Sequence, residues 1–489
     1  MKKITFILTV ILIFSTAVFI NSAISQELDT DAIDKYIQNE MRISNIPGLA
    51  LAVAKDGEIV YMKGYGSSGG NQPVTARTPF IIGSLSKSLT AVAAMQLVEE
   101  GDLELDQPVQ NYLPWFTMGG DYNPADITIR HLLEQTSGIP NAAGNTTMAE
   151  GSDTTIEQEI RAMSEIHLEN PPGETFIYSN ANYIILGLVI ETVADQSYSE
   201  YIRANLFEPL RMNDSYLSKE EGEAAGMSAG HIKWFGFPVA VDVQYLNNSL
   251  SAGFIISSAE DMGRYLMMHL AEGSFEGSTV LSTPGTAELH RPGVMIDENN
   301  HYAMGLIVRA ENEAPVIMHD GATQGFNAGM AFSPEEQWGV VILSNMTSLI
   351  EMPTMNITLG VTEILSGSVP EASSRLPSIA YLVGLAVIIG LLVLTIRSIF
   401  IFPQRLPERI KESRTQGFLR RFSRIFFISL LELSVSVFVF IIIPAGAGFP
   451  VWQLLALFHP DLVYGLLILS ILLLIKALWR IYLTVRLTR

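Results

Sequence analysis

"FIIGSLSKSLTAVAAMQLVEEG", residues 80–101, decides how this chain is read. It contains the only lysine of ten with a serine three positions earlier, Ser84 before Lys87. The spacing predicts a helix over 80–100, stopped by Gly101. It places Ser84 at or near the helix start, with Lys87 one turn on and on the same face. A serine hydroxyl becomes a nucleophile only when a base takes its proton. A lysine can be that base if burial or a nearby cation lowers its pKa. Alone, the pair is weak evidence, and on a bare helix it is more often an accident of two polar residues on one face.

Working outward, "PGLALAVAKDGEIVYMKGYG" (47–66) alternates in polarity and turns at Asp56-Gly57, a β-hairpin pattern. Strands return after 302 in "YAMGLIVRA", "PVIMHDG", "NAGMAFSP" and "QWGVVILSN". Between them, 102–270 is mostly helical in pattern, and a further helix is expected near 351–366. Strands at both ends and helices between them imply one α/β domain. Its antiparallel sheet is assembled from both ends, with helices on its faces and in a second, all-helical lobe. A site is expected in the groove between the lobes.

Hydrophobic residues make up 48% of the 489 and charged residues only 16%, a balance that points to membrane segments beside a soluble part. Apolar runs at about 377–400, 425–445 and 460–479 are each long enough to cross a bilayer. Residues 377–489 hold 12 Lys/Arg against 4 Asp/Glu, concentrated in the 397–424 loop and the C-terminus. The positive-inside rule puts both in the cytoplasm. Residues 1–25 carry Lys2 and Lys3, an apolar stretch and Ala23-Ile24-Ser25, the form of a signal peptide or an uncleaved anchor, with cleavage favoured. Both signals place 26–368 outside the cytoplasm, joined by a 369–376 linker to a multi-pass membrane tail. Glu432, at membrane depth, is a functional candidate by position but is read as a carboxylate near the inner face that snorkels or pairs with a neighbouring arginine. Residues 26–376 hold 16 basic and 46 acidic residues, which argues against nucleic acid as a partner. The absence of cysteine excludes disulfides, thiolate catalysis and Cys-ligated metals.

Two further stretches carry chemistry. In "PPGETFIYSNANYIILG" (171–187), Tyr178-Ser179-Asn180 lies between a Pro-Gly turn and an apolar helix. A tyrosine there can relay a proton, and the asparagine can hold a substrate amide or orient the lysine. Tyr245-x-Asn247 repeats the pattern without that setting. "HDGATQGF" (319–326) holds the only His-x-Gly. Gly321 allows close approach to a strand edge, and the Ala322 amide could pair with that of Ser84 as an oxyanion hole.

Ser-x-x-Lys, Tyr-x-Asn and His-x-Gly, in this order, resemble the serine β-lactamase and penicillin-binding-protein superfamily. The class C β-lactamase, D-peptidase and esterase branch is the nearest in pattern. "HLLEQTSGIP" (131–140) and "SAGFIISSAEDMGRYL" (251–266) resemble two more of its stretches, and the likeness spans about 30–366. It implies a β-lactamase-like fold and hydrolysis through an acyl-enzyme, with no metal or cofactor. Ser84 would be the nucleophile, with Lys87 and Tyr178 sharing the acid–base work, either as the acylation base. Asn180 and His319 would contact substrate, and Gly321 and Ala322 would form the oxyanion edge with Ser84. The substrate would be a small peptide, an amide, an ester or a cell-wall-derived compound. Three departures stand out. Gln135 replaces a histidine, and is read as loop variation. Phe254 replaces a second glycine and would narrow the pocket. His319 replaces a lysine, so no full cation faces a substrate carboxylate; this favours esterase or aminopeptidase-like work over β-lactam hydrolysis. The alternative is a catalytically weak membrane sensor or scaffold, since three helices exceed what tethering requires.

Overall fold

The computed structural model describes residues 28–144, 154–310, 314–348, 350, 353–412, 418–447 and 451–488. The signal-peptide expectation for 1–25 lies outside them. A nine-stranded sheet organises the domain. Its strands are β1 (Gly48–Lys55), β2 (Glu58–Gly69), β3 (Gln72–Pro73), β4 (Val294–Met295), β5 (Asn300–Tyr302), β6 (Ile307–Arg309), β7 (Val316–Thr323), β8 (Phe326–Ser333) and β9 (Trp338–Ser344). The spatial order is β4-β5-β6-β7-β8-β9-β1-β2-β3. The first hairpin thus joins the last strand: Ala52 faces Met62 on one side and Val341 on the other, antiparallel in both cases. This is the sheet expected from the two ends of the domain.

β1 is buried on both faces, so its run of apolar residues hardly alternates. Leu49, Leu51 and Val53 pack with Val340 and Ile342 against Ile33 and Ile37 of α1 (Thr30–Ser44) and Ile357 and Val361 of α5 (Pro353–Leu365). Ala50, Ala52 and Ala54 face the other core, with α2 (Ser86–Glu100), α3 (Asn180–Ala194) and α4 (Ala259–Leu270). Small residues are needed there because α4 lies close: a Cβ on Gly263 would sit 3.2 Å from that of Ala52. Asp29 caps α1, accepting from the Ala32 amide at 2.8 Å, and Ser258 caps α4.

The helix expected over 80–100 begins later. Phe80–Ile81 pairs with Ile256–Ser257, and Gly83–Leu85 makes a single 3-10 turn before α2. Ser86 through Met95 are all buried, because α2 is enclosed on every side. The middle section also contains an unforeseen hairpin, His231–Trp234 with Phe237–Ala240.

Three long apolar helices follow: α6 (Leu376–Glu412), α7 (Phe418–Val437) and α8 (Pro460–Thr488). Leu376–Arg405, Phe426–Gly446 and Pro460–Leu483 are long and apolar enough to cross a membrane. α6 continues in helix well past the expected end of its span near residue 400. Glu432 pairs with Lys476 at 2.9 Å and Arg480 at 3.0 Å, so the acid expected to meet an arginine does, and a lysine as well.

Candidate active site

The 3-10 turn lifts Ser84 into the space between the sheet and α3. Tyr178 OH donates to Ser84 Oγ at 2.8 Å, and Lys87 Nζ lies 3.0 Å from the same oxygen. Lys87 is fully buried; its Nζ also donates to Asn180 Oδ1 at 2.8 Å and to the Ala252 carbonyl at 2.6 Å. Burial pushes its pKa down to about 7, against the opposing field of Asp320. A neutral amine has two N–H donors and one lone pair. With both donors held by Asn180 and Ala252, the lone pair is left for Ser84. Burial drives the Tyr178 phenol far the other way, well above its ordinary pKa, so it stays protonated.

α3 begins at Asn180, so the residues that precede it are aimed by its entry. Gln135 fixes that entry. It is fully buried, and its Oε1 accepts from the Ser179 amide at 2.9 Å and from Asn182 Nδ2. Its carbonyl accepts from Ile177 at 2.8 Å. Gln135 is therefore more than loop variation: a side-chain acceptor at this position holds the Tyr178 segment in register. Gln135→Ala strands the buried Ser179 amide at a cost of about 1–3 kcal/mol. The expected outcome is a lower melting temperature and a lower kcat with little change in KM, both restored by Gln135→His, which keeps an acceptor.

The β7 edge completes the site. The two-residue loop Gln324-Gly325 closes the β7–β8 hairpin, with Thr323 opposite Phe326 and Ala322 opposite Asn327. Ala322 therefore occupies a non-hydrogen-bonded pair and turns its N–H away from β8, toward Ser84. The approach is close. A Cβ on Gly321 would lie 2.9 Å from the Ser84 nitrogen, and one on Gly83 would lie 2.5 Å from the Ala322 nitrogen. Gly83 also holds φ +56°. The two amides expected to form an oxyanion hole are thus brought together.

His319 is 2% exposed and sits behind Tyr178, with ring centroids 6.4 Å apart. Its Nδ1 meets the Asp320 carbonyl, and its Nε2 has no partner among the described residues. Burial lowers its pKa, and Lys87 lowers it further against Asp320, so the imidazole is neutral. Tyr302 packs edge-on to both Tyr178 and His319, and its role was invisible in sequence. Phe254 is buried, and Tyr245 of the second Tyr-x-Asn packs edge-on against it, outside the residues that line the crevice. The crevice bounded by Ser84, Asn180, Ile184, Phe254, Ala322 and Thr323 holds about 30 Å³ of free space, room for a water or two. Phe254 narrows it as expected. Among the described residues no group of acidic and histidine side chains could hold a metal ion.

Comparison with known proteins matches residues 33–359 to the Beta-lactamase family. The chain belongs to that family. Protein flp of Staphylococcus aureus (strain N315) is 28% identical over 320 residues, which are 65% of this chain and 63% of that protein. The match thus spans less than two thirds of that relative. Penicillin-binding protein 4 of Amycolatopsis lactamdurans is 32% identical over 292 residues, covering 58% of this chain and 76% of the relative. The structure of an octameric penicillin-binding protein homologue from Pyrococcus abyssi superposes with a TM-score of 0.63 at 29% identity, covering 71% of this chain and 79% of that one. The tail helices lie outside the matched residues.

Proposed function

We propose that this chain is a membrane-anchored serine hydrolase whose domain faces away from the cytoplasm, while the 397–424 segment and the C-terminus lie in the cytoplasm. It acts through an acyl-enzyme on a small D-amino-acid peptide, amide or ester. The convergence of Lys87 and Tyr178 on one serine oxygen carries this reading. In acylation Ser84 Oγ bonds to the substrate carbonyl carbon and its proton passes to neutral Lys87. The carbonyl oxygen takes the negative charge and is met by the Ser84 and Ala322 amides. On collapse the bond to the leaving group breaks, and the proton returns to that group from Lys87 by way of the Tyr178 hydroxyl. Water then repeats the sequence on the ester and releases the acid. The opposed pKa directions support Lys87, rather than Tyr178, as the acylation base.

The test is intact-mass analysis after exposure to a fluorophosphonate and to panels of esters, D-peptides and β-lactams. A single adduct on Ser84 with product release supports the hydrolase; no adduct and no nitrophenyl-ester turnover sinks it. An ester- or peptide-derived acyl adduct that persists favours the sensor, a reading that the narrow crevice supports.

Rates should fall below a pH of about 7, where Lys87 becomes protonated. Asp320 favours the charged ammonium, so Asp320→Asn removes that field and lowers the lysine pKa further. The expected outcome is an acid limb displaced to lower pH, measured by kcat/KM against pH with a nitrophenyl ester. A limb that stays in place or moves up contradicts Lys87 as the titrating base.

A further inference from the structure

The hairpin of residues 231–240 ends in a two-residue turn, Phe235-Gly236, with φ of +51° and +85°. Both signs are those of a type I′ turn, whose first position ordinarily takes Asn, Asp or Gly. A bulky aromatic held there is out of place for folding alone. It is not hidden either: Phe235 is 46% exposed and Phe237 71%, with Trp234 and Val239 exposed beside them.

The turn is fastened to the membrane helices. The Phe235 amide donates to Asp461 Oδ2 at 2.7 Å, and the Gly236 amide to Tyr381 OH at 3.3 Å. Tyr381 OH in turn bonds Asp461. Asp461 is the second residue of α8 and stands at the start of the Pro460–Leu483 span; Tyr381 lies in the second turn of α6. From the domain side, Asn45 Nδ2 donates to the Gly236 carbonyl. The turn is thereby fixed level with the ends of two spans, the depth at which Trp and Phe rings are stable in the lipid interface. An acidic domain gains nothing from anionic headgroups, so exposed apolar rings are what this face can offer the interface.

The base of the hairpin reaches the site. The His231 amide donates to the Gly325 carbonyl at 3.1 Å, in the turn that follows the Ala322 edge, and to the Asn345 carbonyl at 2.9 Å.

We propose that Trp234, Phe235 and Phe237 form an interfacial wedge in the bilayer leaflet next to the domain, which sets the Ser84 crevice at a fixed height above the lipid. This rests on reading the tail as membrane-spanning. The chain has no cysteine, so single-cysteine variants take one spin label each. Phe237→Cys, Val393→Cys in α6 and Glu58→Cys beyond the far end of β1 would be labelled in the full-length protein in phosphatidylcholine vesicles. Accessibility to oxygen and to a water-soluble nickel chelate is then compared by paramagnetic resonance. The wedge requires an oxygen-to-nickel ratio at 237 several-fold above that at 58. A ratio at 237 equal to that at 58 overturns it while a high ratio at 393 leaves the spans intact. Shielding of 237 from both reagents means a protein contact and also overturns it. A low ratio at 393 removes the spanning reading and the wedge together.

Discussion

Ser84→Ala is expected to abolish fluorophosphonate labelling and to lower ester turnover on the order of 10⁶-fold. No other hydroxyl can substitute, because the amine, the phenol and the β7 edge all converge on position 84. Lys87→Met is expected to lose nearly as much, although its serine remains. The replacement fills the same buried space without a charge. It leaves Asn180 Oδ1 and the Ala252 carbonyl short of a donor, at a cost of about 1–3 kcal/mol. Tyr178 still donates to Ser84, but its proton is held too tightly for the phenol to act as a base at neutral pH. The double variant should be no slower than either single one, since the groups act as a unit. Steady-state kinetics with mass-spectrometric detection of the acyl-enzyme checks all three. A Lys87→Met protein that acylates within about tenfold of the parent rate would refute the assignment.

The order of strands and helices was legible because it rests on local patterns. The alternation around Asp56-Gly57 and the apolar strands after 302 are signals carried by neighbouring residues, and the nine-stranded sheet follows from them. The site was legible for a different reason: three short motifs each place one polar group beside a turn or a helix start. What escaped was set by tertiary contact. The turn at Gly83 exists because β7 lies against it, not because of any local preference. Gln135 draws its importance from an amide 44 positions away. Phe235-Gly236 does not look like a hairpin corner, because an aromatic stands at a positive-φ position and the turn is held by Asp461 and Tyr381, far away in sequence. Such positions are where local and global demands diverge, and they lie at the site and where the domain meets the long apolar helices.

Gly321→Ala tests the β7 edge, and its effect should appear mainly in kcat. The added methyl would lie 2.1 Å from the Ile82 carbonyl oxygen and 2.9 Å from the Ser84 nitrogen, both backbone atoms that no rotamer change can clear. Either β7 or the nucleophile turn must retreat. β7 is held by β8 along its length, and the Ile82 amide is bonded to the Ile255 carbonyl at 3.0 Å, so neither side gives freely. The retreat draws the Ala322 amide away from the position the substrate oxyanion takes. Loss of one such donor costs about 10²–10³ in kcat. Lys87 lies on α2 and Tyr178 is held at the entry to α3, so the base and the phenol keep their places when the β7 edge shifts. Slow labelling by a fluorophosphonate should therefore persist, with a single adduct still on Ser84. A destabilisation of about 1–3 kcal/mol from overpacking should accompany it. Thermal unfolding separates that loss from the kinetic one: assays well below the melting temperature must still show the reduced kcat. A Gly321→Ala protein with parental kcat would mean that Ala322 contributes no oxyanion contact, and that the negative charge is stabilised elsewhere.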